Sequence, residues 1–353
     1  MLLANLSFLS QYPTGLSVYA TNLLRSLPLS DIQVLSNHPI GDRLCHGVPS
    51  TLSSDRGHYG TMRRLWWTQS QLPTLASKLH GSLVFSPIPE APLGSKLPIV
   101  VTVHDVIPLR FPKRVSFLRL YFRHYVARVV QEASHVICDS EATACDLKDI
   151  LGVSARSVSV IPLAFDCDTF YPLYLPPKNY FLYVGRHDSH KNLGRLIEAF
   201  SLLKNNDLEL KIAGSFDARN TPILQQQVQE LGLRDRVQFL SYVAYSDLPK
   251  LMNEAIALVF PSLWEGFGLP VLEAMACGTP VITSNCSSLP EVAGDAAILI
   301  DPYNVAELAD GMQNLSSDRQ LWQSLHYASL ARSQQFSWQK TAACTAEVLS
   351  QFM

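Results

Sequence analysis

The chain has 353 residues, 47% of them hydrophobic and 16% charged, with a formal net charge of −2. That length argues for two domains rather than one core. The composition excludes a disordered chain, and the near-neutral balance excludes a global attraction to nucleic acid. The charge is unevenly placed. Residues 1–165 carry 15 Lys and Arg against 10 Asp and Glu, whereas the remainder carries 13 against 20. A basic half joined to an acidic half implies different partners for each, with a membrane surface indicated for the first. The seven cysteines (45, 138, 145, 167, 277, 286 and 344) form no C-x-x-C pair, which reads as reduced thiols in a cytoplasmic protein. The first residues, MLLANLSFLS, carry no basic n-region, so no signal peptide is expected. No run of 18 apolar residues exists, so no spanning helix is expected.

In chain order, apolar β-branched runs alternate with amphipathic stretches. LLANLSFL (2–9), IQVLS (32–36), SLVFS (82–86), PIVVTV (98–103), HVICDS (135–140) and SVSVIP (157–162) read as strands. Segments 15–27 and 116–132 carry helical periodicity. Residues 166–179, DCDTFYPLYLPPKN, are rich in proline and turn formers and read as a linker. A second set follows. YFLYVG (180–185), LELKIAG (208–214), VQFLS, IALVF, PVITS and AILI read as strands, with helices at 191–204 and 221–232 and further helices between the later strands. The predicted division is a first domain over 1–165, a second over 166–335, and a helix over 336–353 that crosses back to the first. Such alternation predicts parallel sheets with helices on both faces. Two doubly wound units in tandem would face each other across a central cleft at the carboxyl ends of their strands, where ligands bind.

The most informative stretch is SLWEGFGLPVLEAMACGTPVI (262–282). A strand ends just before Trp264, Gly266 and Gly268 permit a tight turn, Pro270 suits the first helical position, and Gly278 suits the helix end. Glu265 thus lies at a strand's carboxyl end and Glu273 one turn into the helix. A carboxylate can accept two neighbouring hydroxyls of a sugar, and the helix N-terminus offers free N–H groups. Spacing alone leaves a second reading open, with Glu265 capping a turn and Glu273 an exposed helix residue.

This segment resembles the E-x7-E stretch of the retaining glycosyltransferases of family 4. Their fold, called GT-B, is α/β with two Rossmann-like doubly wound domains facing a central cleft. The resemblance implies that Glu265 approaches a donor-sugar hydroxyl and Glu273 holds the ribose hydroxyls of a nucleotide. It also implies that backbone amides of Gly266, Phe267, Gly268 and Leu269 reach the sugar and phosphates. YVGRHDSHKN (183–192) resembles the family's phosphate loop, which assigns Arg186 and Lys191 to the leaving diphosphate. On the residues alone, two cations at a helix N-terminus already suit a diphosphate. His187, Asp188 and His190 offer a metal reading that the phosphate loop makes unnecessary. Asp166-Cys167-Asp168 looks like the metal signature of a different glycosyltransferase fold, but VIPLAFDCDTFYP resembles this family's interdomain segment, with Leu163-Ala164 where Asn-Gly is usual. No metal or other cofactor is implied.

YPTGLSVYATNLL (12–24) resembles the glycine loop after the first strand, although only Gly15 of its usual glycines is present. VVTVHDVIPLRFP (100–112) places His104 at a strand end, and the family match favours a role near the donor sugar. SYVAYSDLPKLM (241–252) resembles the segment whose backbone meets the nucleotide base, at Tyr242 and Val243. Residues 113–130, KRVSFLRLYFRHYVARVV, interleave five Lys and Arg and His124 with apolar residues and contain no acid. They read as a basic amphipathic helix, suited either to an anionic membrane surface or to a core with a solvated basic edge. Trp66-Trp67 beside Arg63-Arg64 would extend that surface.

The resulting expectation is a metal-independent, retaining hexosyltransferase. It would move mannose from GDP-mannose to a glycan or lipid-linked acceptor in surface polysaccharide synthesis, in the cytoplasm and peripheral to the inner membrane face. The rival readings are a UDP-hexose donor, a nucleotide-sugar epimerase on the same fold, and a non-catalytic sugar-nucleotide-binding scaffold.

Overall fold

The computed structural model describes residues 1–10, 14–112, 116–154 and 157–353. The chain forms two compact units: Met1–Ala164 with Ser337–Met353, and Phe165–Phe336.

The first unit holds a parallel seven-stranded sheet. Its strands are β1 (Leu2–Asn5), β2 (Ile32–Leu35), β3 (Leu44–His46), β4 (Leu83–Ser86), β5 (Ile99–Val103), β6 (His135–Cys138) and β7 (Val158–Val160), in the order β3-β2-β1-β4-β5-β6-β7. Leu2, Leu3 and Ala4, Leu83, Val84 and Phe85, and Ile99, Val100 and Val101 are buried, as continuous apolar runs should be when helices cover both faces. The covering helices are α1 (Gly15–Ser26), α2 (Gly57–Ser70), α3 (Leu72–Lys78), α4 (Ile107–Arg110), α5 (Phe117–Leu120), α6 (Ala127–Glu132) and α7 (Glu141–Leu151). Between α5 and α6 the backbone widens into a π-helical stretch, Tyr121–Val126. One inserted residue per turn there aims Tyr121 at Glu90 and Tyr125 at Ala91, each through its hydroxyl.

The second unit is a parallel six-stranded sheet of β8 (Tyr180–Val184), β9 (Glu209–Ala213), β10 (Val237–Leu240), β11 (Ala257–Phe260), β12 (Val281–Ser284) and β13 (Ile298–Ile300), in the order β10-β9-β8-β11-β12-β13. Helices α8 (Leu193–Ser201), α9 (Thr221–Glu230), α10 (Leu248–Asn253), α11 (Leu269–Ala276), α12 (Leu289–Ala293), α13 (Val305–Ser317) and α14 (Arg319–Ser333) surround it. Helix α8 shows the expected stripe, burying Leu193, Leu196, Ile197 and Phe200 at helical spacing. Helix α11 has no polar face, because it runs between β11 and β12 on one side and α10, α12 and α14 on the other.

The last helix, α15 (Trp338–Ser350), belongs to the first unit. It packs on α1, and its Thr341 hydroxyl donates to the Pro162 carbonyl at 2.8 Å. Among the described residues, no helix is long and apolar enough to cross a membrane.

Candidate active site

In a doubly wound sheet, ligands bind at the carboxyl ends of the two strands where the order reverses. In the second unit those strands are β8 and β11, which pair directly through Phe181 with Ala257 and Leu182 with Leu258. The loop after β8 carries Arg186 and Lys191, and the loop after β11 carries Glu265. Sheet order thus joins two segments about 75 positions apart in sequence, and the Lys191 ammonium lies 2.5 Å from a Glu265 carboxylate oxygen. Both side chains are largely shielded, at 15% and 10% exposure, so the pair is ordered rather than a loose surface contact. The backbone fixes it as well, since Leu263 N–H donates to the His190 carbonyl at 2.8 Å. Arg186 is different: its side chain is 77% exposed and pairs with Asp188 at 3.2 Å.

The turn between the glutamates depends on Gly268. Its φ is +113°, a backbone conformation that only glycine adopts readily, so the turn geometry requires glycine there. Helix α11 begins at Leu269 with Pro270 in its first turn. The N–H groups of Phe267, Gly268 and Leu269 have no backbone acceptor among the described residues.

Four residues into α11, Glu273 is buried, only 8% exposed. Its carboxyl has neither a hydrogen bond nor an ion pair among the described residues. Burial, together with the charge of Asp166, pushes it up to about 8 from an ordinary 4.5. The reading of Glu273 as an exposed helix residue therefore fails, because α11 is enclosed on all sides. Asp166 itself caps a turn, accepting from the Asp168 N–H and the Thr169 hydroxyl. The Tyr245 hydroxyl is also buried without a partner among the described residues, in the field of Glu273 and Asp166. Val243 lies in the same loop after β10, half-buried, and Tyr242 is exposed.

The first-unit candidates have a different character. Gly15 is the exposed first residue of α1, behind a reciprocal cap between Thr14 and Ser17. Tyr12 and Pro13 lie outside the described residues. His104 donates from Nδ1 to Asp139 at 2.5 Å and from Nε2 to the Pro87 carbonyl at 2.9 Å. A carbonyl only accepts, so Nε2 carries a proton. The Asp139 carboxylate holds the second proton and raises the imidazole against the lowering effect of burial. Both ring nitrogens are thus engaged inside the unit. The Tyr19 ring packs edge-on against His104 at 4.7 Å.

Of 113–130, residues 113–115 lie outside the described residues. The rest turns Tyr121, Phe122, Tyr125, Val126, Val129 and Val130 to the core. Arg123, His124 and Arg128 are exposed, with Leu118 and Leu120 beside them. A ring contact between His58 and Phe117 sets α2 against α5. Tyr59, Met62, Arg63 and Trp66 of α2 face solvent, while Arg64 and Trp67 turn inward. Among the described residues, no group of three His, Cys, Asp or Glu side chains could hold a metal. His187, one member of the metal reading, instead pairs with Thr221 at 2.7 Å.

Two family models cover most of the chain: "Glycosyltransferase Family 4" matches residues 13–169, and "Glycosyl transferases group 1" matches 174–332. The chain belongs to glycosyltransferase family 4. Over 182 residues it is 37% identical to O-antigen chain mannosyltransferase B of Escherichia coli, covering 50% of this chain and 46% of that protein. Over 216 residues it is 32% identical to the O-antigen chain mannosyltransferase RfbU of Salmonella typhimurium, covering 61% and 60%. The chain thus spans about half the length of these relatives. Sucrose-phosphate synthase from Thermosynechococcus elongatus superposes with a TM-score of 0.79 at 21% identity, covering 99% of this chain and 98% of that one. That likeness identifies the fold as GT-B, as the sequence resemblance implied.

Sequence reasoning did not single out Ser287, Ser288 or Tyr245, and it took Asp166 for a linker turn only. No motif marks these residues. Their relevance comes from contacts and charge across 21 or more positions of chain.

Proposed function

We propose that this family 4 glycosyltransferase moves a mannosyl unit, with retention, from a nucleotide donor, best GDP-mannose, to a glycan or lipid-linked acceptor in surface polysaccharide synthesis. The observation that carries the reading is Glu273, a buried carboxyl without a partner among the described residues, eight positions after a carboxylate already paired with Lys191. A buried acid left unpaired is costly unless a ligand supplies donors, and a ribose diol supplies two. The relatives named as O-antigen mannosyltransferases favour mannose and a polysaccharide acceptor.

In this reading, Arg186 swings from solvent onto the diphosphate and Lys191 moves from Glu265 to the departing phosphate. The unpaired N–H groups of 267–269 add donors where negative charge develops. Glu265, released by Lys191, accepts from a hydroxyl of the sugar. The protein supplies this stabilisation through side chains and amides, without a metal. The departing phosphate oxygen takes the acceptor's proton, and the new bond forms on the face that the nucleotide leaves. The exposed basic and aromatic residues of α2, α5 and the following π stretch suit an anionic membrane that presents a lipid-linked acceptor.

Thermal-shift screening against GDP-mannose, UDP-hexoses and free nucleotides tests the donor, since a ligand that binds the native state raises its melting temperature. Selective stabilisation by GDP and GDP-mannose is expected, and a response to uridine nucleotides alone would overturn the GDP assignment. Transfer assays run with a chelator, and NMR of the product anomer, test the metal and stereochemical statements. Formation of an epimer from donor alone would establish the epimerase reading instead. Co-flotation with anionic liposomes at low salt tests the membrane surface, and its absence at both low and high salt would remove that surface from the account.

A further inference from the structure

The loop that carries Glu265 is held from the far side by the tripeptide Cys286-Ser287-Ser288, which links β12 to α12. The Ser288 hydroxyl, fully buried, lies 3.1 Å from the Glu265 carbonyl and 2.7 Å from the Phe267 carbonyl. Ser287 Oγ accepts from the Glu265 N–H at 3.1 Å. Cys286 Sγ contacts the Leu263 carbonyl at 3.4 Å. Ser287 holds φ at +55°, a left-handed conformation that costs a non-glycine residue free energy and persists only where surroundings impose it. Both polar backbone groups of Glu265 therefore face neighbouring serine hydroxyls: Ser287 accepts from its N–H, and the single Ser288 proton is shared between its carbonyl and the nearer Phe267 carbonyl.

We infer that Ser287 and Ser288 are positioning residues of the donor site, which orient the Glu265 carboxylate through its own peptide group. The inference rests on the reading of Glu265 as a donor-sugar contact. Neither hydroxyl needs to touch substrate. Ser288 fixes the two carbonyls that bracket the Gly266 turn, and Ser287 fixes the N–H between Trp264 and Glu265. With both in place, the Cα–Cβ bond of Glu265 has a fixed direction, from which the carboxylate reaches Lys191 or a sugar that displaces Lys191. Small errors in such a direction are costly, because near-attack geometry tolerates little displacement. The pyrophosphate and ribose contacts belong to other groups, so the serines should affect recognition of the sugar and leave recognition of the nucleotide intact.

The test uses the full chain with GDP-mannose and GDP as probes. Ser288→Ala should lower kcat by about tenfold or more and weaken GDP-mannose binding, with GDP affinity held within about twofold. In a Glu265→Gln background the same substitution should change kcat by no more than about twofold, because the group it orients is already lost. Additive losses, or equal weakening of GDP and GDP-mannose, would overturn the positioning role and leave a general packing role. Ser287→Gly guards against misfolding, since it relieves the left-handed strain while deleting the hydroxyl. It should fold at least as stably as the parent and still lose turnover, and full turnover in this variant would remove Ser287 from the proposal. If the parent neither binds nor turns over GDP-mannose, the donor assignment fails first, and a panel-selected donor replaces it as probe.

Discussion

The two units treat buried charge in opposite ways. In the first, the buried ionic groups that stand out among the described residues are paired with one another. Arg64 grips Glu90 through two nitrogens at 2.6 and 2.8 Å, gives its third to the Leu52 carbonyl, and Glu90 receives the Tyr121 hydroxyl as well. His104 and Asp139 form a second buried pair through Asp139 Oδ2, while Asp139 Oδ1 has no hydrogen-bond partner among the described residues. In the second unit, Glu273 is equally buried and has no partner among the described residues, and Lys191 and Glu265 form a pair that a ligand could open. A buried ionisable group paired with its neighbours serves the fold, whereas one left without a pair has a capacity to bind. The contrast separates structure from site without any motif.

The largest effect should come from breaking a closed pair. Asp139→Asn leaves the His104 imidazolium buried opposite a neutral amide and should cost about 3–5 kcal/mol of unfolding free energy. Denaturant titration checks it, and stability equal to the parent would mean that the imidazole is neutral. Next is the open pair. Lys191→Ala or Glu265→Ala should reduce turnover by about 10²- to 10³-fold with little change in melting temperature. An unchanged rate in either variant takes that residue out of the mechanism.

Glu273→Gln should weaken nucleotide binding by about 10- to 100-fold, the worth of hydrogen bonds to a charged acceptor. It should also change the pH dependence of stability. Because Glu273 titrates near 8 when folded and near 4.5 in its ordinary state, the folded protein holds a proton that the unfolded chain releases. Its contribution to stability therefore declines as pH rises from about 4.5 and levels off above about 8. His104, raised by Asp139, adds a decline of the same sign above its ordinary 6.5. Melting curves from pH 6 to 9 should show a shallower fall for the Gln variant, and parallel curves would mean that Glu273 is ionised throughout. In the parent, nucleotide affinity should tighten as pH rises toward 8, and in the variant it should be flat. The smallest effect belongs to exposed Arg186. Arg186→Ala should raise the donor KM by about 3- to 10-fold, with a smaller change in kcat, as expected of a charge ordered only on binding.

Much of this was legible in the sequence, for identifiable reasons. Strands β8 and β11 of the second unit are short, continuous apolar runs, and such runs declare buried parallel strands, whereas β9 (ELKIA) and β10 (VQFL) are interrupted by polar residues. Strand β3 was missed because it is three residues long and its Leu44 is 58% exposed. Helix α2 was missed because its buried stripe is Gly60, Arg64, Trp67 and Thr68. An arginine belongs to that stripe only because Glu90, 26 positions on, is there to meet it. The glutamate spacing was visible, but the isolation of Glu273 was not, since it depends on which helices enclose α11. The serine contacts were hidden for the same reason. They join residues 21 to 23 positions apart that only the β11–β12 pairing brings together.

The return of α15 to the first unit also bears on the order in which the chain can fold. Residues 165–336 are contiguous, so a ribosome delivers everything the second unit needs before the end of the chain emerges. The first unit, although its sheet is made earliest, waits for residues 337–353 to cover Tyr19 and α1 with Trp338 and its helix. Synthesis that stalls or ends near residue 336 would thus release a finished second unit attached to an incomplete first unit with apolar surface exposed, a species prone to aggregate or to be degraded.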